Sequence, residues 1–198
     1  YVPRMNAVLQ AMGYDKNLFK VLLVQFVSLK RDGAKVSMST RSGEFETLTD
    51  VINEVGVDAT RFFFLMRSSD SHLDFDLELA KKESPENPVF YIQYAHARIC
   101  SIFRNAAEQG LILSKSTDID LILLKEVEEL SIIKKILAFT EIVEKSAQSL
   151  EVHRIAFYLQ DLVGAFHGYY SRHRVVGEDR ALSSARLFLM DCLRVTIS

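Results

Sequence analysis

The chain has 198 residues, which is enough for one or two domains with a buried core. It is 48% hydrophobic and 25% charged, as is usual for a globular protein. Its net charge of −2 excludes a globally basic nucleic-acid-binding protein, so any contact with nucleic acid must come from local basic and aromatic patches. Only 8 glycines and 3 prolines interrupt the chain, which favours long helices.

Membrane insertion and secretion are not expected. No apolar run reaches the roughly 18 residues that a membrane span needs. Residues 1–4 (YVPR) do not resemble a signal peptide, and a chain that opens on tyrosine suggests a fragment. Cys100 and Cys192 lie in apolar helical surroundings without metal-ligand spacing, which favours free thiols in a reducing compartment.

The N-terminal part combines a helix with strands. Residues 4–12 have helical spacing of apolar side chains and end at Gly13. Residues 19–29 form a dense, β-branched apolar run, which predicts a strand buried on both faces of a parallel or mixed sheet. The turn at residues 30–33 and the segment at 35–38 predict the returning arm of a hairpin.

A small, polar loop follows at residues 36–43 (VSMSTRSG). It ends in a glycine, and four cations lie close to it in sequence: Lys30, Arg31, Lys35 and Arg41. Such a loop can place hydroxyls, amides and positive charge on a phosphate. Composition alone favours an ordinary surface loop.

Two helices and an acidic segment come next. The first is predicted to begin at Thr47 or Thr49 and to end at Gly56. The second covers residues 58–67, with the following side chains expected in the core: Phe62, Phe63, Leu65 and Met66.

The acidic segment is residues 68–76, which are predicted to be a polar loop. Asp70, Asp74 and Asp76 could suggest a cation site. They lack the glycine and the terminal glutamate of a calcium loop, which favours carboxylates that cap a short helix at residues 77–82.

Residues 84–88 (SPENP) contain two of the three prolines and give the predicted domain boundary, between residues 1–83 and 84–198. Asn87 and Pro88 suit the start of a helix that runs to about residue 109.

Apart from its apolar stripe, this helix has a face formed by Tyr91, Tyr94, Arg98, Ser101 and Asn105. Rings and guanidinium planes stack on unpaired bases for ~1–3 kcal/mol per base. The alternative is that the tyrosines pack structurally, with their hydroxyls at the surface.

Three further helices are predicted. Residues 121–149 form the first, with a break near 139–140. Its inward face is Leu123, Val127, Leu130, Ile133 and Leu137. Its solvated face is Glu126, Glu128, Glu129, Lys134 and Lys135. Residues 151–174 form the next, and the last begins near residue 182.

The end of the helix at 151–174 carries a basic and aromatic cluster. Its members His167, Tyr170 and Arg174 share a face at i, i+3 and i+7. Cations at the carboxyl end of a helix are favoured by the helix dipole, so a structural role is the alternative.

The residues contain no nucleophile–base pair, no Gly-rich phosphate loop and no histidine spacing that suits a metal. From the residues alone, the chain is a helical bundle attached to part of an α/β domain, with RNA binding as a hypothesis.

Ordered motifs add a family resemblance. Residues 36–43 resemble a variant of the Lys-Met-Ser-Lys loop of class I aminoacyl-tRNA synthetases. Four segments follow in order: 57–67 (VDATRFFFLMR), 71–76 (SHLDFD), 87–88 (NP) and 91–99 (YIQYAHARI). Together they resemble bacterial arginyl-tRNA synthetases through the whole chain, including the helix end at residues 166–175.

The resemblance implies a mainly α fold, in which the last α/β portion of a Rossmann-type class I catalytic domain precedes an all-helical anticodon-binding bundle. It implies a cytoplasmic, monomeric full-length enzyme that uses ATP, with Mg²⁺, to attach arginine to tRNA-Arg. The His-Ile-Gly-His type motif of the family is absent. The chain itself is therefore expected to bind no cofactor, to activate no arginine and to charge no tRNA.

The resemblance implies a set of catalytic residues, and the anticodon recognition that it implies agrees with the tRNA-binding residues predicted above from the helix faces. No metal ligand is expected. The catalytic set is the loop and its neighbours: Lys35, Ser37, Met38, Ser39, Thr40 and Arg41. The two lysines of the family fall on Ser37 and Thr40, so their charge is missing, and Lys35, Arg41 or a lysine elsewhere in the catalytic domain is the hypothesised replacement. The tRNA-binding set is Tyr91, Tyr94, Arg98, His167, Tyr170 and Arg174. The competing interpretation is a non-catalytic helical protein-interaction module, which typically exposes an apolar patch.

Overall fold

The structure is a computed structural model that describes residues 1–36, 46–113 and 118–198. The predicted loop residues Ser37, Met38, Ser39, Thr40 and Arg41 lie outside the described residues. The described helices are α1 (Val2–Ala11), α2 (Leu48–Val55), α3 (Val57–Leu65), α4 (Leu77–Lys81), α5 (Pro88–Glu108), α6 (Val127–Ser149), α7 (His153–Arg172) and α8 (Arg180–Ile197). The described strands are β1 (Val27–Arg31), β2 (Ala34–Lys35) and β3 (Leu73–Asp76). No helix among these combines the length and the apolar content that crossing a membrane requires.

The strands form a small mixed sheet in the order β2-β1-β3. β1 and β2 are antiparallel, with Lys30 opposite Lys35, and a two-residue turn joins them. Asp32 and Gly33 both have positive φ, at 51° and 78°, as a tight hairpin turn with the right twist requires. The predicted hairpin is therefore confirmed within the described residues.

The strand predicted over residues 19–29 is wrong for most of its length. β1 begins only at Val27, while Val24 and Phe26 leave 73% and 87% of their surface exposed. A buried strand needs neighbours on its edges and faces. In the described part of the chain β1 has both edge partners, but the apolar run before it is left uncovered.

The polar loop predicted at residues 68–76 contains a strand instead. β3 pairs in parallel with β1, and its alternating residues Leu73 and Phe75 are buried. Asp76 caps α4 by accepting the N–H of Leu79 at 3.0 Å, as predicted. Asp74 does not cap a helix, because it faces Lys30 Nζ at 2.8 Å and Lys35 Nζ at 3.2 Å, and their hydrogen bonds hold the pKa of its carboxyl below its usual value.

Two apolar clusters hold the chain together. The first lies between the sheet and the short helices and consists of Leu29, Val51, Ala59, Phe63, Leu73, Phe75, Leu77, Ala80 and Val89. The second lies inside the bundle of α5, α6, α7 and α8 and includes Ala95, Ile99, Ile102, Ile132, Leu162, Phe166, Tyr169 and Leu193. Leu65, expected in the core, is exposed. The domain boundary at residues 83 and 84 stays a prediction.

The predicted orientation of α6 is wrong in two respects. The helix is continuous from Val127 to Ser149, with no break near residue 139. Val127 and Leu137, expected inside, are 79% and 75% exposed, whereas Glu129, expected in solvent, is fully buried. Apolar side chains lie on more than one face of this sequence, so the packing of α7 and α8 decides which face is covered.

Asn87 connects α4 to α5. Its Oδ1 accepts the N–H of Val89 at 3.0 Å at the start of α5. Its Nδ2 donates to the carbonyl oxygens of Ala80 at 3.0 Å and Lys82 at 2.9 Å. The side chain is buried, so these three backbone groups depend on it for their hydrogen bonds.

We expect Asn87→Ala to lower the free energy of unfolding by about 2–3 kcal/mol, because a helix cap is lost and two carbonyl groups lose a donor. Asn87→Asp keeps the acceptor but places a carboxylate beside those carbonyl groups, so it should also destabilise. Urea unfolding followed by circular dichroism measures both effects. The matched control is Asn53→Ala, at an exposed position of α2; equal effects of Asn87→Ala and the control would contradict this role.

Candidate nucleic-acid interface

Aromatic and basic side chains of α5 and α7 meet on one side of the bundle. Tyr91, Tyr94 and Arg98 lie on neighbouring turns of α5, and His167 and Tyr170 lie on neighbouring turns of α7. The two helices pack against each other, so five of the six predicted tRNA-binding residues come together. Tyr91 is partly buried against the bundle core, as the structural alternative expects.

The Arg98 guanidinium lies between two tyrosine rings. Its Cζ is 4.6 Å from the ring centroid of Tyr94 and 4.6 Å from that of Tyr170. Its Nη2 also donates to the Tyr94 hydroxyl at 2.6 Å. Each such cation–π contact is worth about 0.5–2 kcal/mol, depending on how far it is desolvated. Tyr94 and Tyr170 remain 43% and 38% exposed, so both rings are accessible to a ligand.

His167 supports this stack from the inside. Its half-buried ring lies 4.4 Å from the ring of Tyr91 and is stacked at 6.0 Å on that of Tyr94. Its Nδ1 is 3.5 Å from Arg98 Nη1, and its Nε2 is 3.5 Å from the carbonyl oxygen of Tyr91. Burial is the main cause that lowers its pKa, and the Arg98 charge acts in the same direction, against the opposing effect of the Tyr91 carbonyl. A neutral ring with its hydrogen on Nε2 can donate to Tyr91 and accept from Arg98.

Arg174 lies beyond the end of α7, which corrects the predicted helix face. The helix ends at Arg172 because the backbone of His173 is extended, at φ −123° and ψ 138°. Arg174 instead borders a pocket of about 630 Å³ beside Tyr170. The polar lining from the two sides of this pocket is Ser101, Asn105, Gln109, Tyr170, His173 and Arg174.

Phe90 is an aromatic neighbour of this face that sequence reasoning missed. Its ring is stacked on Tyr94 at 5.8 Å, with 8° between the planes. The sequence spacing could have predicted this contact, because Phe90 precedes Tyr94 by four residues and so lies on the same helix face.

Glu126, Glu128 and His173 bring three donor atoms within 4.8 Å of one another, near the same helix end. Glu128 accepts a hydrogen bond from Arg172 Nη1 at 2.6 Å, and this contact is the main cause that lowers the pKa of its carboxyl. The carboxylate therefore already has a cation beside it, and we assign no metal to the cluster.

The three described cations near the predicted phosphate loop, Lys30, Arg31 and Lys35, are also paired. Lys35, the member of the catalytic set that the structure describes, shares Asp74 with Lys30. Arg31 donates to Glu54 at 2.7 Å and to Glu46 at 3.0 Å. Hydrogen bonds from Arg31, and then from Lys81, lower the pKa of Glu54 to about 2. A phosphate would have to compete with these carboxylates.

Comparison with known proteins identifies the helical part. The model of the DALR anticodon binding domain matches residues 92–198, which is more than half of the chain. The chain belongs to the DALR anticodon binding domain family. This DALR domain contains the residues of the Arg98 stack, the pocket beside Tyr170 and the buried residues of the bundle core.

The relatives agree with the resemblance predicted from the motifs, which is confirmed. The chain is 52% identical over 197 residues to an arginine–tRNA ligase of Syntrophotalea carbinolica and 54% identical over 198 residues to one of Citrifermentans bemidjiense. Each match covers 100% of this chain but 36% of the relative. The chain thus spans about a third of the length of these curated relatives.

Solved structures have the same fold. A structure described as an arginyl-tRNA synthetase of Campylobacter jejuni has a TM-score of 0.86 and 31% identity, and the match covers 100% of this chain and 42% of that one. The arginyl-tRNA synthetase of Thermus thermophilus has a TM-score of 0.60 and 25% identity, with 80% of this chain and 26% of that one covered. The predicted mainly α fold is confirmed.

We expect His167 to make the stability of the DALR domain depend on pH. The pKa of His167 in the folded state lies below the ordinary value of 6.5, which applies to the unfolded chain. Neutral His167 therefore contributes fully to the free energy of unfolding above about pH 6.5, and this contribution is lost as the pH falls through the folded-state pKa. Protonation removes the acceptor at Nδ1 and adds a positive charge beside Arg98. His167→Gln cannot titrate and should therefore flatten the profile of unfolding free energy against pH between about pH 5 and 7. His72→Gln, at an exposed histidine, is the control. A pH profile left unchanged by His167→Gln would contradict the expectation.

Proposed function

We propose that the chain is the C-terminal part of an arginine–tRNA ligase and that its DALR domain binds the anticodon region of tRNA-Arg. The observation that carries this proposal is the exposed Tyr94–Arg98–Tyr170 stack, since it is a surface suited to unpaired bases within a domain of an anticodon-binding family. The names of the curated relatives supply the amino acid and the reaction.

The stack offers two kinds of contact to RNA. The exposed parts of the Tyr94 and Tyr170 rings can stack on bases of the anticodon loop, at about 1–3 kcal/mol per base. The faces of Arg98 are already covered by the two rings, so its remaining N–H groups are the part available to phosphates or base edges. Arg174 adds a charge beside the pocket next to Tyr170, which suits an RNA backbone.

The α/β part has a separate role in the proposal. Residues 1–83 would form the end of a Rossmann-type class I catalytic domain, for which the parallel pairing of β1 with β3 is the structural support. The uncovered apolar run before β1 is consistent with a larger domain that packs over it. Arginine, ATP and Mg²⁺ would act in a monomeric, cytoplasmic full-length enzyme, and the chain alone would catalyse neither activation nor charging.

The loop chemistry is the finer part of this proposal. In adenylation, charge develops on the departing pyrophosphate, and fixed donors there stabilise the transition state. Lys35, Arg41 or a lysine elsewhere in the catalytic domain would supply the charge that Ser37 and Thr40 lack. Lys35 would first have to leave Asp74.

The chain is expected to retard tRNA-Arg in a gel more strongly than a non-cognate tRNA, and the binding should weaken as salt increases. Tyr94→Ala and Tyr170→Ala should each weaken it about 5- to 100-fold, because one stacking surface is lost. Tyr14→Ala, at another exposed tyrosine outside the bundle, is the control. A chain that binds no tRNA would instead favour a protein-interaction module.

In the full-length enzyme, Lys35→Ala should slow ATP–pyrophosphate exchange by at least about 10-fold if Lys35 replaces a loop lysine, since one donor of this kind contributes about 10²–10³. Lys30→Ala is the matched control, because Lys30 binds the same Asp74. An unchanged rate would leave Arg41 or a lysine elsewhere as the replacement. The 198-residue chain by itself should show no exchange, and measurable exchange would refute that part of the proposal.

A further inference from the structure

A buried ion pair connects three helices of the DALR domain next to the RNA-binding face. Glu129 lies in the first turn of α6, and its side chain is fully buried. Arg186 of α8 donates from Nε to Glu129 Oε1 at 2.7 Å, and its side chain is only 12% exposed. Most ion pairs among the described residues lie at the surface, where each contributes little to stability.

The pair is also bonded to its surroundings. Glu129 Oε2 accepts the backbone N–H of Glu126 at 3.0 Å, which caps the start of α6. The hydroxyl of the fully buried Tyr169, on α7, lies 3.5 Å from Glu129 Oε1. Arg186 Nη1 donates to the carbonyl oxygen of Arg174 at 2.8 Å. One guanidinium therefore joins the start of α6 to the backbone just beyond α7.

That backbone leads directly to the pocket. The last bond of α7 runs from the N–H of His173 to the carbonyl of Tyr169 at 2.9 Å, and the chain then leaves the helix. Arg174 and Tyr170 line the same pocket, and Tyr170 is one of the two rings that hold Arg98. The contact between Arg186 and the Arg174 carbonyl fixes the direction in which the chain passes this pocket.

We infer that Glu129 and Arg186 are positioning residues for RNA recognition: the buried pair holds the backbone of Arg174 so that its side chain borders the pocket beside Tyr170. This inference rests on the proposed tRNA binding. A need for stability alone does not explain the pair, because apolar side chains of similar volume often replace a buried ion pair without loss of stability. They cannot, however, donate a hydrogen bond to the Arg174 carbonyl.

The test removes both charges together, so that neither is left buried without its partner. Glu129→Leu with Arg186→Met should keep the circular dichroism spectrum and a cooperative thermal transition. The midpoint should fall only modestly, because the N–H of Glu126 loses its cap but no buried charge is left unpaired. The affinity of this double variant for a tRNA-Arg transcript should nevertheless fall about 10-fold or more. Arg194→Met is the control on the same helix, because Arg194 pairs with Asp191 on α8.

A second comparison separates positioning from general damage. Arg174→Ala should weaken binding in the unchanged chain but should add little in the double variant, where Arg174 is already misplaced. Arg186→Lys supplies a further case if the double variant does not fold. It keeps the charge beside Glu129 but lacks the separate Nε and Nη1 donors that bond Glu129 and the Arg174 carbonyl, so affinity should fall while the fold is retained.

Each outcome has a distinct meaning. Wild-type affinity in a folded double variant, or a full effect of Arg174→Ala in that background, would overturn the inference and leave tRNA binding intact. Absence of tRNA binding by the unchanged chain would instead refute the proposed function.

Discussion

Helix α5 is the element on which the geometry of the protein depends, because it belongs to both apolar clusters. Val89 at its start packs with the sheet and the short helices, while Ala95, Ile99 and Ile102 pack inside the bundle. Asn87 fixes where the helix begins. The helix cannot rotate to present another face without unpacking one of the clusters. The orientation of Tyr94 and Arg98 is therefore set by the cores on the opposite side of the helix.

Local signals in the sequence were sufficient for most helices and for the hairpin. Thr47 caps α2 in a reciprocal arrangement with Asp50, and Asn87 caps α5, so both starts could be predicted from a few adjacent residues. Strand pairing could not be predicted in this way. β1 depends on a partner strand about 46 residues away along the chain, since Val27 pairs with Leu73. The apolar residues before β1 give no information about whether another strand or helix covers them.

The same limit applies to the candidate site. Spacing along α5 and α7 predicted which rings and cations share a face, because helical periodicity is a local property. It could not predict that Arg98 would lie between rings from two helices, or that His173 would end α7 before Arg174. Glu129 is the clearest case. Among charged neighbours it has the sequence pattern of a solvated residue, and the arginine that compensates its burial is 57 positions away.

The enclosure of Arg98 bears on how selectively the surface can bind. A free arginine side chain has about 2 kcal/mol of rotamer entropy, which a ligand normally removes when it orders the group. Here most of that freedom is lost on folding, so docking RNA would incur little further entropic cost at this side chain. The surface is preorganised, and it should reject loops whose bases or phosphates require the guanidinium to point elsewhere.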